Sequence, residues 1–270
     1  MTIKQAKEYV SNPFIVIFRG FGDLFNHNQT MAIVILVFSM LGSFMQFANP
    51  FPFAAPGASI GTSTAPTSNN GTTSFSSVLL PIILVTIFVI LLIAVAIFIS
   101  TIYRGVVAYV ALKTSRKETV TFEEAIRVTM KKFWTIVLVD VIVGLKVFGG
   151  MLLFIIPGIR AMLRYNMVRL TIFDKDAKAS EAISYNKQIT KDHLIEVFGM
   201  TTAASLMPLI GGILQVGGQS IMYKQLSELK TSGAQKPPVH WLNYLGFILL
   251  GALFLFIGLI LLLVVALSNY

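Results

Sequence analysis

The sequence contains no cysteine, only three histidines and few acidic residues. Without cysteine there is no disulfide, no thiol nucleophile and no thiolate metal site, and His27, His193 and His240 lie far apart along the chain, so no metal centre or cofactor is expected. Charged residues make up 12% of the 270 positions, about half the share of an ordinary soluble domain, while apolar residues reach 55%. That balance excludes a soluble globular protein. Charge is missing altogether from two long intervals, 24–103 and 237–270. The start of the chain, with Lys4, Lys7, Glu8 and Arg19, also lacks the short apolar core and cleavage site of a signal peptide, so the first apolar run is expected to stay in the mature protein.

What the sequence does hold is apolar runs of bilayer length separated by basic segments. Residues 31–48 are long enough to approach the roughly 30 Å hydrocarbon thickness and read as a first span. The segment before it mixes Phe14, Ile17, Phe18 and Phe21 with Arg19 and Asp23, which places 1–30 in the cytoplasm and its interface. Residues 49–77 are rich in Ser, Thr, Pro and Gly and uncharged, a flexible linker composition, and 78–103 form a second span. Basic residues precede the first span and follow the second at Arg104, Lys113, Arg116 and Lys117. The positive-inside rule therefore puts the N-terminus and residue 104 in the cytoplasm and the 49–77 loop outside, where Asn70 opens a glycosylation sequon. The same rule accounts for the net charge of +9 without invoking nucleic acid.

Residues 104–223 repeat. Thr121 to Ile126 opens one amphipathic helix, and Ser180 to Ile183 opens another fifty-seven residues later. Thr121 with Glu124 has capping-box spacing, and Glu181 sits where a helix dipole favours a carboxylate. Each helix leads into an apolar stretch with glycine and proline interruptions. With both basic helices cytoplasmic, 133–173 must form a hairpin that turns at Gly149-Gly150, giving a third span at 133–148 and a fourth at 151–173, kinked at Pro157-Gly158. Residues 194–223 form either one crossing or a tight hairpin broken at Pro208 and Gly211-Gly212. Lys224, Lys230 and Lys236 favour the hairpin, which makes 224–241 a cytoplasmic linker and 242–270 a last spanning helix with an external C-terminus. The fold class is thus an all-α, polytopic helical membrane protein with six to seven membrane helices and two units of amphipathic helix plus hairpin.

From Phe154 to Lys191 the chain reads Ile156-Pro157-Gly158-Ile159, then Arg164-Tyr165, an acidic turn at Asp174 to Asp176, Glu181-Ala182 and Thr190-Lys191. These motifs resemble prokaryotic six-helix membrane proteins of unknown function, similar to the membrane domain attached to some glycerophosphoryl diester phosphodiesterases. The resemblance implies the helical membrane architecture and, with no phosphodiesterase domain attached, no hydrolase. The chain departs from the group at Asn186 and Lys187, and 194–223 is shorter than the group's final helix pair.

Candidate residues are the charges and breaks inside the apolar runs. Asp140 is costly in a bilayer unless paired, and an antiparallel fourth span brings Arg164, or Arg160 one turn away, to its depth. Lys146 is expected to snorkel outward. Arg160, Arg164 and Arg169 suit contact with anionic lipid headgroups, because guanidinium matches phosphate in bidentate geometry. Gly149, Gly150, Pro157, Gly158, Pro208, Gly211 and Gly212 are helix breaks, and Gly217-Gly218 a further close-packing pair. No catalytic constellation stands out. The expected function is a non-catalytic scaffold, accessory or membrane-organising protein of the cell membrane, touching anionic lipids and capable of joining a second copy or another membrane protein. The alternative is a small transporter or channel component that uses Asp140 and the broken helices.

Overall fold

The computed structural model describes residues 9–48, 75–235 and 237–268, so most of the 49–77 loop and its Asn70 sequon lie outside the described residues. Everything with regular structure in the described part is helical: α1 (Pro13–Ala48), α2 (Phe75–Ser115), α3 (Phe122–Lys131), α4 (Phe133–Leu153), α5 (Ile155–Arg164), α6 (Val168–Asp174), α7 (Ala179–Thr190), α8 (Leu194–Ser205), α9 (Gly211–Ser232), a 3-10 turn at Trp241–Tyr244, and α10 (Leu245–Ser268). Among the described residues four stretches are long and apolar enough to cross a membrane, namely Pro13–Gly42, Ile82–Ser115, Phe133–Leu153 and Trp241–Leu267.

The chain divides into bare rods and a packed body. In α2, residues 82–99 are exposed at every position, and the exposed part of α10 begins at Phe247. At helical rise, 82–99 measures roughly 27 Å, close to the hydrocarbon thickness. The body is built from the first half of α1, the last turns of α2, and α3 with α6 to α9. Its buried side chains form three clusters, and Phe173 packs against all three.

Local chemistry explains the ends of several helices. Asn12 Oδ1 accepts from the Phe14 N–H at 3.0 Å, with Pro13 at the first helical position, a favourable start for α1. Thr121 Oγ1 accepts from the Glu124 N–H to cap α3, and the Glu181 carboxylate accepts from the Lys178 N–H at the start of α7. Gly233 ends α9 in the left-handed region at φ +61°, where a residue without Cβ carries no strain.

Asn28 bends α1. Its backbone leaves helical values (φ −137°, ψ 50°), and its buried side chain ties three pieces of chain together. Nδ2 donates to Thr114 Oγ1 and to the Glu118 carbonyl, both at 2.9 Å, while Oδ1 accepts from the Val120 N–H at 2.7 Å. The bend and the turn between α2 and α3 are therefore one device. Asn28→Leu strands the Val120 N–H and the Glu118 carbonyl away from water, and about 2 to 4 kcal/mol of stability should be lost. A thermal unfolding midpoint equal to that of the parent protein would refute this role for Asn28.

Several expectations are corrected here. Residues 13–25, expected as an interfacial segment, bury one face in the body: Val16, Ile17 and Leu24 are fully buried against α9 or beside it, while Ile15 and Phe18 stay exposed. The reason lies in the small residues they meet, because a Cβ built on Gly20 would fall 2.1 Å from the Gly217 carbonyl oxygen, so the two backbones touch. The third and fourth spans also differ. α4 runs straight through Gly149-Gly150 to Leu153, and the return is split into α5 and α6, which at 10 and 7 residues reach only about 15 and 10 Å. Neither crosses a bilayer alone. Glycine lowers helix propensity without ending a helix, whereas Pro157 sits in the first turn of α5, where its missing N–H has no intrahelical partner to lose. Proline starts a helix here instead of kinking one. Finally, the linker expected at 224–241 is helical as far as Ser232, because Tyr223, Leu226 and Leu229 continue the buried face of α9.

Candidate functional site

The site forms where α4 crosses α2. The first turns of α4 stay level with a short stretch of α2: the Phe98 and Phe133 rings lie 5.2 Å apart, Gly105 faces Ile136, and Arg104 reaches Asp140. Gly105 permits this approach, since a Cβ there would fall 2.9 Å from Ile136 Cδ1 and 2.4 Å from Thr129 Cγ2. On the opposite side α4 packs against α6 and α7 through Ile136, Val139, Val168 and Ile172. Asp140 is thereby held between an arginine from each neighbour.

Its partner on α6 is Arg169. The Nε atom donates to Asp140 Oδ1 at 2.9 Å and Nη2 approaches the same oxygen at 2.7 Å, while Oδ2 faces Arg104 Nη1 at 3.6 Å. The expected pairing with Arg164 or Arg160 is corrected. The hairpin turns at Phe154 and not at Gly149-Gly150, so the residue mirroring position 140 moves from 159 to 168, next to Arg169. Arg160 is exposed on α5. Arg164 is half-buried, and its main-chain carbonyl accepts from Asn186 Nδ2 at 2.5 Å and Thr190 Oγ1 at 3.0 Å. The three arginines expected to share a headgroup role thus part company, because the turn at 165–167 separates α5 from α6.

The residue that sequence reasoning passed over is Arg104. Its place after the second apolar run marked it only as a topological flank. In the structure its side chain is 53% exposed, against 18% for Asp140 and 29% for Arg169. It also closes one end of a groove of about 470 Å³ between α2 and α4. Along α2 its lining passes from Ile93, Ala96 and Ile97 to Ser100, Thr101 and Arg104, and α4 contributes Val137, Asp140 and Val141. Arg169 neutralises Asp140, so Arg104 leaves the cluster with one net positive charge.

The breaks fall in two places. In the α4–α5 hairpin, Gly150 and Gly158 let the helices touch: a Cβ on Gly150 would lie 2.9 Å from the Gly158 nitrogen, whereas one on Gly149 meets nothing within 4 Å. Lys146, on the same hairpin, sits over the Tyr165 ring at 5.1 Å from its centroid. In the other hairpin α8 ends at Ser205 and α9 begins at Gly211, with Pro208 in the turn between them. A second cleft of about 570 Å³ opens there, edged by Ser39, Tyr103, Pro208, Gly211, Gly212 and Gln215. It carries no charged group.

A further titratable cluster lies at the start of α8. His193 Nδ1 is 3.4 Å from Glu196 Oε1 at the start of α8, and the Tyr9 ring lies 6.4 Å from the imidazole. Burial, aided by the Glu196 carboxylate, pushes the Tyr9 hydroxyl well above its ordinary range. The cluster joins the chain before α1 to α8, close to where Asn243 Nδ2 donates to the Ser11 carbonyl at 2.7 Å. No family model, curated protein or solved structure matches the chain.

Proposed function

We propose that this chain is a non-catalytic, multi-pass protein of the cell membrane whose packed body lies at the cytoplasmic face and organises anionic lipid and neighbouring proteins as a scaffold or accessory component. The observation that carries the reading is the division of the chain along α2. Residues 82–99 are exposed, apolar and uncharged, and Arg104 with the Asp140 cluster follows within two turns. Exposed apolar surface on this scale marks a membrane or partner-binding face, and a basic border marks the cytoplasmic side. The two tryptophans agree with that level, since Trp134 beside the α2–α4 crossing is 78% exposed and Trp241 before α10 is 66% exposed, and exposed tryptophan favours the interface.

In this reading α1, α2 and α10 cross, the α4–α5 and α8–α9 hairpins enter and return on the cytoplasmic side, and the N-terminus is cytoplasmic. The likeness of 154–191 to six-helix membrane proteins supports the same architecture. Asp140 then sits at the interface and is held by two arginines, an arrangement suited to fixing helix register and holding anions more than to relaying protons. Proteoliposomes provide the test. Protein-containing vesicles should show proton and ion leak equal to that of empty vesicles, with Asp140→Asn making no difference. A flux that requires the protein and disappears in Asp140→Asn would establish the transporter reading in its place.

A further inference from the structure

We infer that the groove between α2 and α4 is a binding site for one anionic phospholipid, with the phosphate on Arg104 and an acyl chain between Ile93 and Ile97 of α2 and Val137 and Val141 of α4. This rests on the reading that residues 82–99 lie in hydrocarbon. The order of groups along the α2 wall of the groove is the order of groups along a lipid. From Ile93 the lining stays apolar through Ile97, and it turns polar at Ser100, Thr101 and Arg104, a passage of roughly 16 Å at helical rise. The volume of about 470 Å³ lies within the range of ordinary ligand sites.

Charge selects the headgroup. Asp140 Oδ1 is taken up by two contacts from Arg169, whereas Arg104 has a longer approach of 3.6 Å to Oδ2 and a side chain more than half exposed. A phosphodiester brought to Arg104 finds a planar fork of donors matched to two of its oxygens. The ammonium of a zwitterionic headgroup would find the carboxylate already neutralised. One net positive charge therefore receives one net negative lipid. Arg160, exposed on α5 and outside the groove, lacks the apolar channel beside it.

The experiment is lipid retention on the full chain, purified from nanodiscs of mixed phosphatidylglycerol and phosphatidylcholine and read by native mass spectrometry. The parent protein should keep one phosphatidylglycerol at collision energies that strip phosphatidylcholine. Arg104→Gln should lower that retention about tenfold, the size of one lost charge-assisted contact. Ile97→Trp, which fills the apolar half at an exposed position and leaves the arginine in place, should lower it as well, whereas Arg160→Gln should not. A site for free phosphate would ignore Ile97→Trp and would be emptied of lipid by added inorganic phosphate, and that result overturns the proposal. So does equal loss in Arg160→Gln and Arg104→Gln, which would mean diffuse cationic anchoring, or retention of both lipids alike. If Arg104→Gln does not fold, Ile97→Trp decides alone. Vesicle leak is unaffected by any of these outcomes, so failure here and failure of the scaffold reading remain separate results.

Discussion

Gly217→Leu should abolish assembly of the helical body, and Gly20→Leu should do the same. At this crossing α1 and α9 touch backbone to backbone: a Cβ on Gly20 would stand 2.1 Å from the Gly217 oxygen, and one on Gly217 would stand 2.5 Å from the Gly20 carbonyl carbon. Where a new side chain meets another side chain, a rotamer change can absorb the clash at about 1 to 3 kcal/mol. Here the obstacle is main chain, and the helices can only separate. Separation uncovers Ile17, Leu24, Ile213 and Leu214, all fully buried, each worth about 1.5 to 3 kcal/mol when buried. Opening half of that surface costs about 3 to 6 kcal/mol, comparable with the whole stability of a fold at the lower end of the usual 5 to 15 kcal/mol. Gly22→Leu is the control, because a Cβ at Gly22 meets nothing within 4 Å. Size-exclusion profiles of detergent extracts should show a monodisperse peak for Gly22→Leu and aggregate or no protein for Gly20→Leu and Gly217→Leu. Equal behaviour of all three would refute the crossing.

The crossing also shows what a sequence read locally can and cannot supply. The rods of α2 and α10 were legible because an uncharged apolar run has one physical meaning at that length. The cap of α3 at Thr121 was legible because capping uses neighbours three residues apart, and the first-turn place of Glu181 because a helix dipole favours a carboxylate there. The helix partner of residues 13–25 was not legible because it, the Gly217-Gly218 surface, is nearly two hundred positions away, and an amphipathic strip looks the same whether lipid or another helix covers it. Asn28 carried no local signal, since its three bonds run to residues 114, 118 and 120. The α4–α5 turn was misplaced by four to five residues because Gly149-Gly150 was read as a stop and Pro157 as a kink. That small error was doubled at the site: in a hairpin, moving the turn by n residues moves the opposing residue by 2n. Asp140 was correctly singled out as needing a partner, and Arg169 was missed as that partner because the depth match assumed one unbroken span over 151–173, whereas the return is split into α5 and α6.

The partner can be settled by coupling energies. Asp140→Asn leaves Arg104 and Arg169 facing one another without their shared carboxylate. Removing one member of a buried ion pair costs about 3 to 5 kcal/mol, and side chains that keep 18% to 29% exposure recover part of this by solvation, so a loss of about 2 to 3 kcal/mol is expected. Arg169→Gln should cost less, because Asp140 retains Arg104. The double change Asp140→Asn with Arg169→Gln should cost less than the sum of the two by about 1 to 2 kcal/mol, the coupling of residues in direct contact. Asp140→Asn with Arg164→Gln should be additive, because the arginines that meet the Asp140 carboxylate are Arg169 and Arg104. A charge swap between positions 140 and 169 is a poorer test, since Asp140→Arg would place a second guanidinium against Arg104. Asp140→Leu combined with Arg169→Leu removes the pair without that conflict and, between α4 and the apolar face of α6, should recover most of the loss, as replacement of ion pairs by packed apolar residues commonly does. Unfolding midpoints in one detergent give all five comparisons. Coupling to Arg164 with none to Arg169 would refute the α4–α6 pairing, while the contact of Arg104 with Asp140 in the α2–α4 groove does not depend on where α4 turns into α5.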